Sequence, residues 1–181
     1  MRAPLPTPNV ALVGFMGTGK SSVGQLLAVR LRFDFIDTDE MIEAEAQKPI
    51  SDLFEQEGEA AFRAYERRVV AALAERRRTV ISTGGGLAAN ADNLASLKEH
   101  SVVICLWASP ETIWQRVRRQ RHRPLLRDTD PLATIRRLLA EREPFYRQAD
   151  VMISTERRSI PAVAQNALHE FRAASGRHWH V

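Results

Sequence analysis

The chain of 181 residues contains a single cysteine, Cys105, and no apolar run of about eighteen residues. One cysteine forms no disulfide within the chain, which excludes the disulfide-stabilised secreted folds and fits a buried thiol in a reducing compartment. The short apolar runs exclude a membrane-spanning helix. Residues 1–8 contain three prolines and no apolar segment typical of an export signal, so we expect a flexible start to a cytoplasmic protein.

Lysine is also scarce, because only three of the 26 basic residues are lysines and the rest are arginines. With 22 acidic residues the formal net charge is +4. The planar arginine fork suits phosphates and carboxylates, so the composition fits anionic ligands, although a coding bias toward arginine produces the same excess. Hydrophobic residues make up 44% and charged residues 27%, which is typical of one soluble globular domain.

Short apolar runs alternate with segments of helical periodicity. The predicted strands are 10–13, 33–37, 79–83, 102–107 and 151–154, and the predicted helices are 21–31, 41–46, 51–73 with a break near Gly58, 90–100, 110–119, 131–149 and 160–171. Strands separated by helices predict a parallel sheet with helices on both faces. Ligands of such sheets bind beyond the carboxyl ends of the strands, so we expect the chemistry at that edge.

Residues 14–21, Gly-Phe-Met-Gly-Thr-Gly-Lys-Ser, follow the first strand and match the P-loop pattern G-x-x-x-x-G-K-S/T. In such loops backbone N–H groups surround a phosphate, the lysine reaches the β- and γ-phosphates, and the serine hydroxyl binds Mg²⁺. Chance produces a match in roughly one such chain in a thousand, so the pattern favours nucleotide binding. The guanine-reading Asn-Lys-x-Asp of GTPases is absent and the chain is short for larger ATPases, which leaves a small-molecule kinase. The predicted nucleotide-binding residues are Gly17, Thr18, Gly19, Lys20, Ser21 and Ser22.

Two carboxylates, Asp37 and Asp39, close the second predicted strand. In an extended segment, side chains two residues apart point to the same side. One carboxylate could hold Mg²⁺ through water while the other accepts the proton of an acceptor hydroxyl. Taken alone, Asp39 is equally the N-cap of the helix that follows.

Arg63 precedes Glu66 by three residues on the third predicted helix, where Glu66 is able to orient the guanidinium. On its own this pair is a solvated ion pair. Three glycines, 84–86, end the third strand and allow a ligand or another backbone to approach closely. Arg142 stands before Pro144 and by itself is a surface charge.

A dense basic segment lies between 116 and 127 and contains six arginines, with no acidic residue from 112 to 127. A nucleic-acid patch is one interpretation, but the interleaved aromatic residues of a single-strand binder are missing, and Trp114 is expected to pack a helix face. A lid is better supported, because the stretch is aperiodic and lies between two capped helices, from where arginines could swing over ATP.

These motifs together resemble the shikimate kinase family, over about residues 10–171. They are G-x-x-G-x-G-K-S at 14, Asp-x-Asp at 37, Phe-Arg at 62, Gly-Gly-Gly at 84, Arg-Pro-Leu-Leu at 123 and Arg-x-Pro-x-Tyr at 142. The resemblance implies a three-layer α/β/α P-loop kinase fold whose five-stranded parallel sheet has the order 2-3-1-4-5. It also implies a helical substrate-binding insertion over about 38–66 and a lid over about 117–130.

The implied reaction is transfer of the ATP γ-phosphoryl group to the 3-hydroxyl of shikimate, on the route to chorismate and the aromatic amino acids. By the same resemblance, Asp39 would bind the substrate hydroxyls and act as the base. Lys20 and the lid residue Arg123, which would also contact ATP, would stabilise the transferring phosphoryl group. Asp37 would join Ser21 around Mg²⁺.

On the substrate side, the resemblance implies that Arg63 and Arg142 grip the shikimate carboxylate and that Gly85 contacts it through backbone. Arg119 and the segment near Arg158 are weaker candidates for the adenine side. The implied protein is a monomer that binds neither nucleic acid nor membrane. Two alternatives stay open: another small P-loop kinase, acting on gluconate or a nucleotide, and a nucleotide-dependent RNA-binding protein.

Overall fold

A computed structural model of the protein describes residues 8–118 and 129–178, with side chains to residue 175. The lid residue Arg123, and with it Arg119, Arg121 and Arg127, lies outside the described residues. The strands are β1 (Asn9–Val13), β2 (Asp34–Asp37), β3 (Thr79–Ser82), β4 (Ser101–Trp107) and β5 (Val151–Ser154). The helices are α1 (Lys20–Leu31), α2 (Thr38–Ala46), α3 (Ile50–Leu73), α4 (Ala91–His100), α5 (Pro110–Val117), α6 (Pro131–Tyr146) and α7 (Ile160–His178), with a short 3₁₀ turn at Leu87–Ala89.

The five strands form one parallel sheet in the order β2-β3-β1-β4-β5, which confirms the implied topology. Side chains of a strand alternate between the two faces of the sheet. In β1, Val10 and Leu12 pack into a core with α1 and α7, whereas Ala11 and Val13 pack into a second core with α2 to α6. The sheet therefore has helices on both faces, and the predicted three-layer class is confirmed.

The prediction of an extended segment through Asp37 and Asp39 was wrong. Strand β2 ends at Asp37, and Thr38 is already the first residue of α2. The Oδ1 atom of Asp37 accepts the N–H of Asp39 at 3.0 Å, so Asp37 is the N-cap of α2. The relative position of the two carboxylates is therefore set by a helix cap.

Helix α3 is kinked at Gly58, as its periodicity predicted. Gly58 has φ 81° and ψ 178°, a backbone conformation that favours glycine. The helix starts after Pro49, so Ser51 and Asp52 lie inside its first turn. The kink separates the first turns of α3 from the part that carries Arg63.

Two helix ends differ from the predicted ones. Helix α6 ends at Tyr146, because Gln148 and Ala149 donate to carbonyls three residues back and form a turn. Helix α7 continues past the predicted end at Phe171 to His178. None of the helices in the described ranges is long and apolar enough to cross a membrane.

Cys105 lies in the middle of β4 and is fully buried. Burial raises the pKa of its thiol to about 12. The thiolate is the reactive form of cysteine, so this residue is a small apolar side chain of the core, as the sequence suggested.

A polar network joins the amino ends of the central strands. The Asn9 amide donates from Nδ2 to the carbonyl of Arg76 at 2.8 Å, and its Oδ1 accepts the N–H of Thr79 at 3.1 Å. These bonds fix the orientation of the amide, so Nδ2 faces Nδ1 of His100 as a donor, at 3.2 Å. The Nδ1 atom must then accept, which leaves the imidazole neutral with its proton on Nε2.

We expect the free energy of unfolding to decrease as the pH falls below about 6.5, and to decrease less in His100→Asn. Burial, helped by the charge of Arg77 and opposed by that of Glu99, lowers the pKa of His100. The unfolded chain then binds the proton more readily than the folded one. The contribution of neutral His100 to the free energy of unfolding is therefore complete above the unfolded pKa and is lost as the pH falls through the folded pKa. Urea unfolding between about pH 8 and pH 5.5 measures this difference, and equal pH slopes for the two proteins would contradict it.

Candidate active site

The P-loop leads from the carboxyl end of β1 into α1. A Cβ on Gly14 would collide with the carbonyl of Leu106, so the loop packs directly on the end of β4. Lys20 is buried, and its Nζ donates to the carbonyls of Gly14 and Phe15, both at 2.9 Å. The Thr18 hydroxyl donates to the carbonyl of Phe15 at 2.8 Å. The P-loop backbone thus surrounds the ammonium group of Lys20 and binds it through two carbonyls.

Ser21, in the first turn of α1, meets Asp37 at the end of β2. Its Oγ donates to Oδ2 of Asp37 at 2.8 Å and lies 3.2 Å from Oγ of Ser82. Hydroxyl and carboxylate oxygens fit Mg²⁺, which usually takes one or two carboxylates and completes its shell with phosphates and waters. No group of three or more His, Cys, Asp and Glu residues within the described ranges could hold a metal ion. These oxygens therefore fit a cation shared with a phosphate ligand.

Asp39 lies in the first turn of α2, directly against Gly84. The Gly84 N–H donates to Oγ1 of Thr38 at 2.8 Å, which joins the end of β3 to the start of α2. A Cβ on Gly84 would collide with the Asp39 carboxylate, so only glycine allows this approach. The helix cap therefore places Asp39, and the glycine beside it leaves the space that the carboxylate occupies.

The other two glycines of the triplet face different parts of the site. A Cβ on Gly85 would lie 3.2 Å from the backbone nitrogen of Met16 in the P-loop. A Cβ on Gly86 would lie 3.2 Å from Nη1 of Arg63 and 3.8 Å from Nη2 of Arg142. The triplet thus brings together the Asp39 carboxylate, the P-loop and both predicted arginines.

Arg142 and Tyr146 lie one turn apart on α6 and bind the same acceptor. The Arg142 Nη1 donates to the carbonyl of Gly85 at 3.0 Å, and the Tyr146 hydroxyl donates to it at 2.7 Å. The Arg142 guanidinium also lies over the Phe15 ring, 5.2 Å from its centroid. Because this carbonyl is held from the α6 side, the Gly85 backbone has a fixed orientation beside both arginines.

Arg63 is held by Glu66, which is buried. Its Nη1 donates to Oε2 of Glu66 at 2.7 Å, and its Nη2 donates to the exposed Glu59 at 2.9 Å. Burial raises the pKa of Glu66, against the hydrogen bond from Arg63 and the charge of Arg142. The side chain of Glu66 is only 2% exposed, so the interpretation of this pair as solvated was wrong. A buried carboxylate must be paired, which makes Glu66 a support for the Arg63 guanidinium.

The dense basic segment begins with an exposed residue of helix α5 that lies within the described ranges. Arg116, near the end of α5, donates from Nη1 to the carbonyl of Gly17 at 3.1 Å and from Nη2 to the carbonyl of Thr155 at 2.8 Å. It therefore joins the P-loop to the segment after β5, and its grouping with the lid arginines was wrong. Arg158, the weaker candidate for the adenine side, follows in that same segment.

The chain is similar to known proteins over most of its length. The family model described as shikimate kinase matches residues 16–172. A shikimate kinase from Hahella chejuensis is 44% identical over 167 residues, covering 92% of this chain and 87% of the relative. The solved structure of the Acinetobacter baumannii shikimate kinase in complex with shikimate superposes with a TM-score of 0.88 at 38% identity, covering 93% of this chain and 94% of the other.

A gluconokinase from Sinorhizobium meliloti is similar in a more limited way. Its structure matches with a TM-score of 0.63 at 16% identity, covering 97% of both chains. At this identity the likeness shows the fold alone. This likeness therefore supports the gluconate alternative only at the level of the fold.

Proposed function

The chain belongs to the shikimate kinase family, and on that premise we propose how its residues carry out the reaction. The protein is an ATP-dependent kinase that phosphorylates the 3-hydroxyl of shikimate in the pathway to the aromatic amino acids. The observation that carries the proposed roles is the glycine triplet, which joins Asp39, the P-loop and two arginines in one place. Another small-molecule kinase or an RNA-binding protein is not favoured.

The substrate carboxylate binds between Arg63 and Arg142. Both guanidiniums approach Gly86 from different helices, α3 and α6. Arginine forks form charge-assisted hydrogen bonds with carboxylates, and these are the strong ones. Because Nη1 of Arg142 is already bonded to Gly85, its other nitrogens are left for the substrate. Gly85 contributes a backbone contact.

Asp39 accepts the proton of the 3-hydroxyl. As the O–H bond breaks, the hydroxyl oxygen bonds to the γ-phosphorus, and the bond from that phosphorus to the β-γ bridging oxygen breaks to release ADP. The carboxylate is half-buried and held against Gly84, which suits a base that must stay in one position. Lys20 and Arg123 stabilise the negative charge on the transferring group.

The nucleotide phosphates bind at Gly17, Thr18, Gly19, Lys20, Ser21 and Ser22, through backbone N–H groups and the lysine. Ser21 and Asp37 are the residues that would hold Mg²⁺. When bound, the ion neutralises phosphate charge. We further propose a monomer that works in the cytoplasm, supported by the resemblance to the family. Residues 38–66 form the substrate-binding insertion and 117–130 the lid.

The experiment that tests this function measures ADP release from Mg-ATP with shikimate, gluconate or a nucleoside monophosphate as the acceptor. ADP release with shikimate alone is the expected result. Release with another acceptor would keep the fold and discard the carboxylate clamp. No ADP release with any of the three acceptors, together with salt-sensitive RNA binding, would favour the RNA-binding alternative.

Replacing Tyr146 by Phe is expected to raise the KM for shikimate by about two- to tenfold with a smaller change in kcat. The variant removes the 2.7 Å bond to the Gly85 carbonyl and leaves Arg142 as its donor. Steady-state kinetics measure the split between the two constants. Tyr65→Phe, the other tyrosine of the chain, is the matched control, because its ring packs on Arg68. Equal KM changes in both variants would exclude a specific role for Tyr146.

A further inference from the structure

A cavity of about 310 Å³ lies beside the two arginines of the clamp. Its walls include Arg63, Glu66, Arg67, Asn90, Asn93 and Arg142. Neither the Asp39 carboxylate nor the Lys20 ammonium lines it, so the cavity extends from the clamp away from the phosphoryl-transfer end. A water takes about 30 Å³ in the liquid, and a carboxylate group is only a little larger. The carboxylate of a substrate therefore fills only a small part of this space.

The three arginines that line the cavity differ in the partners they already have. Arg63 pairs with Glu66 at 2.7 Å and with Glu59 at 2.9 Å, and Arg142 donates to the carbonyl of Gly85. Arg67 has no ion pair or hydrogen bond with any residue in the described ranges, and its side chain is exposed. Of these three arginines, Arg67 is therefore the one whose entire guanidinium is available to a ligand.

Two amides, those of Asn90 and Asn93, also line the cavity. The Oδ1 atom of Asn90 accepts the N–H of Asn93 at 3.0 Å, so the NH₂ group of Asn90 is the part of that side chain that can donate to a ligand. Asn93 is buried and donates from Nδ2 to the carbonyl of Leu87 at 3.2 Å, which holds this wall in place. A cation and an amide donor that line one cavity suit a carboxylate.

We propose that this cavity is a second anion position, which binds the second carboxylate of a small dicarboxylate whose first carboxylate lies between Arg63 and Arg142. Such a molecule excludes shikimate from the clamp. A dicarboxylate without a hydroxyl near Asp39 has no group to receive the phosphoryl and acts as a competitive inhibitor. This inference rests on the proposed carboxylate clamp.

The test compares isophthalate with benzoate, which has the same ring and one carboxylate fewer, as inhibitors against shikimate. Both are expected to compete, and isophthalate is expected to have a Ki about fivefold lower than benzoate, the size of a partly exposed ion pair. Arg67→Gln is expected to remove this advantage, and Arg67→Glu to reverse it. Arg68→Gln is the matched control, since the neighbouring Arg68 pairs with Glu45 and is not part of the cavity wall.

Three outcomes overturn the inference. An equal Ki for the two inhibitors in the parent protein shows that the second carboxylate gains nothing, while competition by benzoate keeps the clamp. An advantage that survives in Arg67→Gln shows that Arg67 does not bind the second carboxylate. If neither inhibitor competes with shikimate although shikimate is phosphorylated, the clamp itself is misplaced and the second position is lost with it.

Discussion

Asp39→Asn is expected to lower kcat by about 100- to 10,000-fold while the affinity for ATP stays close to that of the parent. The amide is nearly the same size, so the contact with Gly84 and the start of α2 remain. The amide is not a base, so it cannot accept the proton of the substrate hydroxyl. Because the nucleotide binds on the P-loop at the end of β1, its binding does not depend on this carboxylate.

The measurement is a single-turnover rate with saturating shikimate, alongside nucleotide titration by fluorescence or calorimetry. Asp34→Asn is the matched control, because Asp34 is exposed at the amino end of β2, the strand that leads into α2. Normal turnover in Asp39→Asn would remove this residue from the role of base. A loss of less than about tenfold would assign it to positioning, which supplies most of the catalysis in phosphoryl transfer.

Replacing Arg63 or Arg142 by Ala is expected to weaken shikimate binding by about 10- to 150-fold, the equivalent of 1.5–3 kcal/mol for hydrogen bonds to a charged group. The two variants should differ in stability. Removal of Arg63 leaves the buried Glu66 carboxylate without its 2.7 Å partner, whereas Arg142 is bonded to the carbonyl of Gly85. Arg63→Ala should therefore lower the Tm more than Arg142→Ala does.

Adding Glu66→Gln to Arg63→Ala separates the two effects. The double variant should recover part of the lost Tm, because the unpaired charge is gone, but none of the lost affinity. Arg137→Ala on α6 is the control, as this exposed arginine pairs with Glu141 on the helix surface. Shikimate affinities within roughly twofold of the parent in both single variants would rule out the clamp.

The sequence predicted the elements of the fold better than their arrangement. Apolar runs such as 10–13 and 102–107 marked β1 and β4, because strands buried on both faces are apolar throughout. The break at Gly58 was visible as a lapse in helical spacing. The strand order came from the family resemblance, since an apolar run carries no information about which strand it pairs with.

The start of α2 was missed because it depends on a tertiary contact of Thr38 as well as on the local cap from Asp37. Thr38 is buried and accepts the N–H of Gly84, a residue 46 positions away, and local spacing does not show such a contact. The bonds of Arg116 to Gly17 and Thr155 were missed for the same reason.

The burial of Glu66 was foreseeable from the sequence. Four residues after Phe62 and three before Val69, it stands on the apolar stripe that α3 turns toward the sheet. An acid in such a stripe must find a partner, and Arg63 was one turn away. The pair was recognised from the sequence, but the position of Glu66 on the apolar face of the helix was not used to predict that Glu66 is buried.

The protonated, fully enclosed Cys105 makes this chain convenient for site-specific labelling. It is the sole thiol of the sequence and cannot be reached by maleimide reagents in the folded protein. A cysteine introduced at an exposed position such as Ser51, ahead of the Gly58 kink, would take up a fluorophore with the native residue left in place. A dye there would report movement of the first turns of α3 during substrate binding, without any prior removal of a core side chain.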